Sequence, residues 1–238
     1  MKFAADPGLM FQELPFMARF AAAKAAGFDG IALSAPYDQP AQEMRDQMVM
    51  NGLACAAITG PPPNYTGGAP GHPATPGAED RFARDFRRML RYAEVLKPAV
   101  IVLEVGPGDP ETLTRNLARA CDAAPKWRLA IGPRAGWALA DYPATEAVIA
   151  AVAAPNLGLL FDTAEAQVLT GDALGAWAQH GAGAALVQVA QSPGRDDPGA
   201  GAIDFPALFA AMAGYKGWVA AAYTPRLTTQ AGLGWLPR

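Results

Sequence analysis

Histidine and cysteine are scarce in this 238-residue chain, which has two of each. Cys55 and Cys121 make no disulfide framework. With no histidine near either in sequence, each reads as a small buried hydrophobe rather than a nucleophile. The chain has no Cys-x-x-Cys, His-Glu-x-x-His or P-loop motif and no Ser-His-Asp order, so zinc, nucleotide and hydrolase chemistries lose their usual carriers. No block of Lys or Arg stands out against a net charge of −3, which argues against nucleic acid or an anionic membrane surface as a partner. The opening stretch, MKFAADPGLMF, lacks the apolar core of a signal peptide. The longest strongly apolar run, around Val100 to Val105, is far too short to span a bilayer. A cytoplasmic protein with reduced thiols is expected.

What is there is a globular composition, 51% hydrophobic and 17% charged, in a length that suits one large domain, taken here as 1–238. Short apolar runs alternate with longer amphipathic ones. The strand-like runs are Lys2–Ala5, Gly30–Ser34, Leu53–Ile58, Ala99–Glu104, Arg128–Gly132, Leu157–Phe161, Ala184–Val189 and Gly217–Ala222. Helical patterns cover Phe16–Ala26, Gln42–Met50, Glu79–Leu96, Glu111–Ala123, Ala144–Ala153, Ala173–His180 and Phe205–Ala213. The first of these ends against Gly27 and the sixth against Gly181, as helices commonly do. Strands alternating with helices predict a parallel α/β sheet. Eight strands in this length favour a closed (β/α)8 barrel, the TIM barrel, with the eighth helix short or missing. No GxGxxG follows the first strand, which weighs against a dinucleotide-binding sheet. Two Gly/Pro-rich stretches, Pro61 to Gly77 and Ala190 to Phe205, interrupt the rhythm after strands three and seven, on the face where barrel enzymes build their sites.

In a barrel the residues that count end the strands: Asp6, Pro36, Thr59, Glu104, Gly132, Asp162, Gln188 and Ala222. Asp162, after four apolar residues in LLFDTAEAQ, is costly to bury without a partner or a metal; the plainer reading is an N-cap for a following helix. Gln188 is an amide within an apolar strand, suited to a metal, a substrate or a structural hydrogen bond. Glu104 is either a base or the partner of a nearby arginine. Asp6, before Pro7, is a turn residue or a substrate contact. Arg195, in the glycine-flanked SPGRDDP, suits bidentate binding of a substrate carboxylate, or else pairs with Asp196 or Asp197. His72 is a candidate lid and substrate-binding residue in the strand-three loop, and His180 reads as the end of a helix.

These residues carry a resemblance. GYKGWVAAAYTPR…AGLGW (Gly214 to Trp235), FAADPGLMFQELPFMARFAAAKAAGFDGI, Pro76–Gly77, FDTAEAQ, VQVAQSPGRDDP and IDFPALF resemble, in order and nearly end to end, the hydroxypyruvate isomerases of the xylose-isomerase-like TIM barrels. The resemblance implies isomerisation of a small keto or aldehyde acid around a divalent cation, Mg or Mn, held by Glu, Asp, Gln and Glu, the two glutamates moving the proton. By that resemblance Asp162 and Gln188 are the Asp and Gln, while the glutamates fall on Gly132 and Ala222. A histidine that follows the Asp is Glu165 here, a glutamate on strand two is Ala32, Arg195 matches a loop arginine, and Asp197 stands where Glu is usual.

Glycine and alanine supply neither a base nor a metal ligand, so the metal is expected to be weakly bound or absent. Two readings follow. One is an isomerase with a rearranged site in which Glu104 and Glu165 replace the lost glutamates. The other is a catalytically silent barrel that still binds a carboxylated, sugar-like molecule. Phosphodiester cleavage, as in the endonuclease IV branch of the fold, would need a His/Asp/Glu cluster around three metals. Self-association is left open. Because Gly132 precedes Pro133, extended backbone is expected there, and with it room for a glutamate side chain.

Overall fold

The computed structural model describes residues 1–64, 67 and 69–237. Eight parallel strands close into a barrel in chain order: β1 Lys2–Ala5, β2 Gly30–Ser34, β3 Ala54–Gly60, β4 Val100–Leu103, β5 Arg128–Ile131, β6 Leu157–Asp162, β7 Ala184–Val189 and β8 Trp218–Ala221. Around it run α1 Ala18–Ala25, α2 Ala41–Met50, α3 Glu79–Leu96, α4 Pro110–Ala123, α5 Tyr142–Val152, α6 Thr163–Thr170, α7 Ala173–His180 and α8 Phe205–Ala211. The (β/α)8 expectation holds, and each expected strand and helix is found within two residues at either end.

Aspartate starts five of the helices. Asp109, Asp141, Asp162, Asp172 and Asp204 each accept a backbone N–H from the first turn of α4, α5, α6, α7 and α8. Helix α6 is not among the helical patterns expected, although the reading of Asp162 as an N-cap implies it. Its buried positions Ala164 and Ala166 are two apart and Val168 is 61% exposed, so no helical stripe marks it. At the end of α7, Gly181 is not in the left-handed region. A Cβ there would lie 2.5 Å from the Trp177 ring, so close approach selects the glycine.

Strand residues alternate between the barrel interior and the helical shell. Ile31, Leu33, Ile101, Leu103, Leu129, Ile131, Phe161, Val187, Val189 and Val219 pack outward into the two large apolar clusters. Ala4, Ala32, Val100, Val102, Ala130, Leu186 and Ala220 form a separate inner cluster, with Leu160 against it. Continued two residues at a time, this inner parity leads to Glu104, Gly132, Asp162, Gln188 and Ala222 at the C-terminal mouth. The register supports it: Asp162 pairs with Gln188, and Gln188 with Ala220.

The loops after β3 and β7 both leave this mouth. Tyr65, Thr66 and Gly68 of the first lie outside the described residues. After β8, the described chain forms a short 3-10 turn at Gln230–Trp235 in place of a final α-helix, and the count of eight is made up by two helices, α6 and α7, after β6. In that turn Trp235 packs on Phe3, Phe28, Phe209 and Tyr223, covering the seam between first and last strands. No described helix is long and apolar enough to cross a membrane.

Candidate active site

The mouth holds a cavity of about 230 Å³ whose walls include Ser34, Thr59, Glu104, Gly132, Arg134, Trp137, Leu160, Asp162, Glu165, Gln188, Arg195 and Ala222. Four of the strand-end candidates, Glu104, Asp162, Gln188 and Thr59, therefore meet in one space with Gly132 and Ala222.

Asp162 is almost fully committed. Its Oδ1 accepts hydrogen bonds from the backbone N–H groups of Ala164 (3.0 Å) and Glu165 (3.1 Å), capping α6. The Arg195 guanidinium closes on it bidentately, Nη1 to Oδ1 at 3.1 Å and Nη2 to Oδ2 at 2.5 Å. The Asp162 side chain is 9% exposed and that of Arg195 40%, so the carboxylate is buried while the guanidinium keeps an edge toward the mouth, and the bidentate geometry makes this a charge-assisted pair. The alternative pairing of Arg195 with Asp196 or Asp197 does not occur; Asp196 instead pairs with Arg226.

Arg195 is held for this role. It takes a left-handed backbone, φ +51°, costly for a side chain with a Cβ. Its N–H donates to the carbonyls of Gln191 (3.0 Å) and Pro193 (2.8 Å), and its carbonyl accepts from Thr224 N–H. Gln191, 1% exposed, ties the loop together through the N–H groups of Ser192 and Ile203 and the carbonyls of Gly199 and Ile203. This organising amide sits three residues past Gln188, and the sequence reading passed over it.

The ion-pair chain continues from Arg195 Nη1 to Glu165 Oε1 at 3.5 Å, and from there to Arg134 Nε at 3.6 Å. Two carboxylates thus alternate with two guanidiniums. Arg134 lies over the Trp137 ring, 4.6 Å from its centroid, and remains half exposed. Neither Arg134 nor Trp137 was singled out from the sequence. The signal was available: IGPRAGW places an arginine two residues past the end of strand five.

Burial pushes the Glu104 carboxyl up, opposed by His72 and Arg134. Burial and the neighbouring Asp162 charge push Glu165 up, opposed by Arg134 and Arg195. The two glutamates stand past β4 and beside β6, on either side of β5, where Gly132 contributes no side chain.

Room for a side chain at Gly132 is the expectation that fails. A Cβ there would meet the Leu160 carbonyl oxygen at 2.6 Å and the Leu160 Cβ at 3.2 Å. The register between β6 and β7 shifts between Leu159 and Leu160. Extended backbone is therefore not enough, because the neighbouring strand occupies the space.

Two candidates lie off the cavity wall. His72 packs at a tilt of 51° against Trp137 with Nδ1 3.1 Å from the Glu104 carbonyl oxygen, so it supports the loop behind the site. Asp6 is 2% exposed and accepts from the N–H groups of Gly8 (2.7 Å) and Ser34 (3.2 Å), tying the β1 loop to β2. Burial raises its carboxyl to about 6. His180, last residue of α7, precedes β7 and so lies at the opposite end of the barrel, paired with Glu146. Both cysteines are buried free thiols.

Comparison with known proteins places this geometry. Residues 20–238 match the family described as xylose isomerase-like TIM barrel. A 2-oxo-tetronate isomerase of Cupriavidus necator is 34% identical over 252 residues, covering 99% of this chain and 97% of its own. The hydroxypyruvate isomerase of Escherichia coli is 28% identical, covering 99% and 98%. Among solved structures, a protein from Brucella melitensis described as AP endonuclease, family 2, superposes with a TM-score of 0.91 at 29% identity, covering 98% of this chain and 97% of its own.

The family fits a divalent cation in general, but the residues present here do not make a site for one. Gly132 and Ala222 offer no side-chain donor, Gln188 only a neutral amide, and both Asp162 oxygens are already engaged. Among the described residues no group of three or more His, Cys, Asp and Glu side chains is placed to hold a metal.

Proposed function

This chain belongs to the xylose isomerase-like TIM barrel family, and from that premise we propose that it binds a small hydroxy- or keto-carboxylate at the barrel mouth and interconverts its ketone and aldehyde forms. One observation carries the reading. Glu104 and Glu165 share a single cavity with two guanidiniums, and both carboxyls are raised by burial. A carboxylate moved toward neutral pH is a better proton acceptor, the property that general-base work requires.

Arg134 receives the substrate carboxylate. Its side chain is 48% exposed, Trp137 orients its plane, and Glu165 at 3.6 Å leaves much of its donor edge free. With the acid group held there, one glutamate removes the proton from the carbon bearing the hydroxyl. The electron pair forms an enediol as the carbonyl oxygen takes up a proton. A proton then returns to the former carbonyl carbon while the original hydroxyl gives up its own and becomes the new carbonyl. The same atoms leave as entered, with one carbon-bound and one oxygen-bound hydrogen moved. The cavity volume suits a three- or four-carbon acid rather than a polymer end. Hydroxypyruvate, named for one relative, is the substrate to try first.

The silent-barrel reading draws on Gly132 and Ala222, which have lost the side chains expected there. The two readings separate in D2O. Hydroxypyruvate incubated with the protein should exchange its C3 hydrogens, followed by NMR, and form the aldehyde isomer. Saturable binding with no exchange above the protein-free rate would overturn the isomerase reading in favour of the binder. Cleavage of a phosphodiester finds no support in the donors, because the two histidines stand at opposite ends of the barrel.

A further inference from the structure

We propose that Arg195 takes the place of the divalent cation, so that the site presents a built-in guanidinium charge and binds its anionic ligand without metal. The claim concerns binding and stands whether or not the site turns substrate over.

The observations are geometric. A metal held at this mouth would take its carboxylate from Asp162, the acidic strand-end side chain that β6 turns inward. Arg195 covers both oxygens of that carboxylate, and the same Nη2 lies 3.4 Å from the carbonyl of Ala222. One guanidinium thus links Asp162 at the end of β6 to the Ala222 carbonyl just past β8. The charges are consistent: along the ion-pair chain Asp162 and Glu165 carry −2 and Arg195 and Arg134 carry +2, which leaves Glu104 as the one carboxylate of the cavity outside that chain. A divalent ion entering the cavity would face two fixed positive charges at close range. The fit is also anchored, because the strained backbone of Arg195 and the Gln191-braced loop set the guanidinium in position. Finally, the positions that would have supplied further ligands are closed or empty. Leu160 fills the space at Gly132, and Ala222 has only a methyl group.

The test begins with wild-type protein and Mn²⁺ alone. After dialysis against EDTA, added Mn²⁺ should keep its free-ion EPR signal. Calorimetric binding of tartronate, a stable hydroxy-diacid, should be the same with and without EDTA. Stoichiometric Mn²⁺ uptake, or tartronate binding abolished by EDTA, would overturn the proposal without any mutant. Variants then ask whether guanidinium and metal exclude each other. Ala222→Glu alone should not bind Mn²⁺, because the new carboxylate would pair with Arg195. Ala222→Glu combined with Arg195→Ala should bind it at least about tenfold more tightly than either single variant, since added ligand charge then faces the ion directly. Circular dichroism checks that each is folded. Equal Mn²⁺ affinity in Ala222→Glu with and without Arg195 would show that the guanidinium does not occupy the ion's place. If tartronate binds without metal but hydroxypyruvate is not exchanged, this inference survives and the isomerase reading fails.

Discussion

The carbonyl oxygen of Leu160 stands 2.6 Å from the point where a Cβ on Gly132 would sit. Real Cβ atoms do not approach a backbone oxygen so closely, so strands β5 and β6 admit only glycine there unless one of them moves. Gly132→Ala is therefore expected to destabilise the barrel by about 1–3 kcal/mol through overpacking. Urea unfolding of the purified variant measures this. An unchanged midpoint would mean that β6 yields freely at Leu160.

Glu104→Gln and Glu165→Gln keep the shape of the cavity and remove its bases. Each should lower hydroxypyruvate exchange about 10²–10⁴-fold. Because burial raises both carboxyls, the acid limb of the wild-type pH profile should lie above the ordinary glutamate range, and activity should fall as pH drops through it. A limb at or below that range, or a variant with full exchange, would remove that residue from the chemistry.

Arg134→Met should raise KM for hydroxypyruvate while changing kcat little, because the carboxylate is held equally in ground and transition states. Loss of one charge-assisted contact predicts a KM effect of about tenfold or more. A fall in kcat at constant KM would instead assign Arg134 to the reacting carbons.

Asp6 gives a stability test away from the site. Its carboxyl is raised from 3.8 to about 6, so between those values the folded chain holds a proton that the unfolded chain has lost. Stability contributed at this position is present below the unfolded value and declines as pH rises through the folded one, by about 3 kcal/mol in all. Relative to Asp6→Asn, wild type should therefore lose unfolding free energy between pH 4 and pH 7. Parallel curves for the two proteins would show that Asp6 does not titrate in this window.

Much of this was legible from the sequence alone because it depends on period and local chemistry. Short apolar runs marked the strands, and strand-helix alternation over 238 residues pointed to a closed barrel. A carboxylate after LLF and an amide in LVQV stood out as polar groups in apolar strands, and both line the cavity. The absence of side-chain chemistry at Gly132 and Ala222 was equally plain. Which groups meet was decided only by the closed barrel. Arg195 lies 33 residues from Asp162, and the choice among Asp162, Asp196 and Asp197 depends on how the β7 loop folds over the mouth. Arg134 became a site residue through Trp137 and Glu165, the latter supplied by α6, a helix without a sequence stripe. The closure of position 132 comes from a neighbouring strand's carbonyl, and no local preference of the Gly132–Pro133 pair encodes it. Periodicity carries an element's own burial, whereas pairing and steric exclusion belong to residues that only the folded chain brings within a few ångströms.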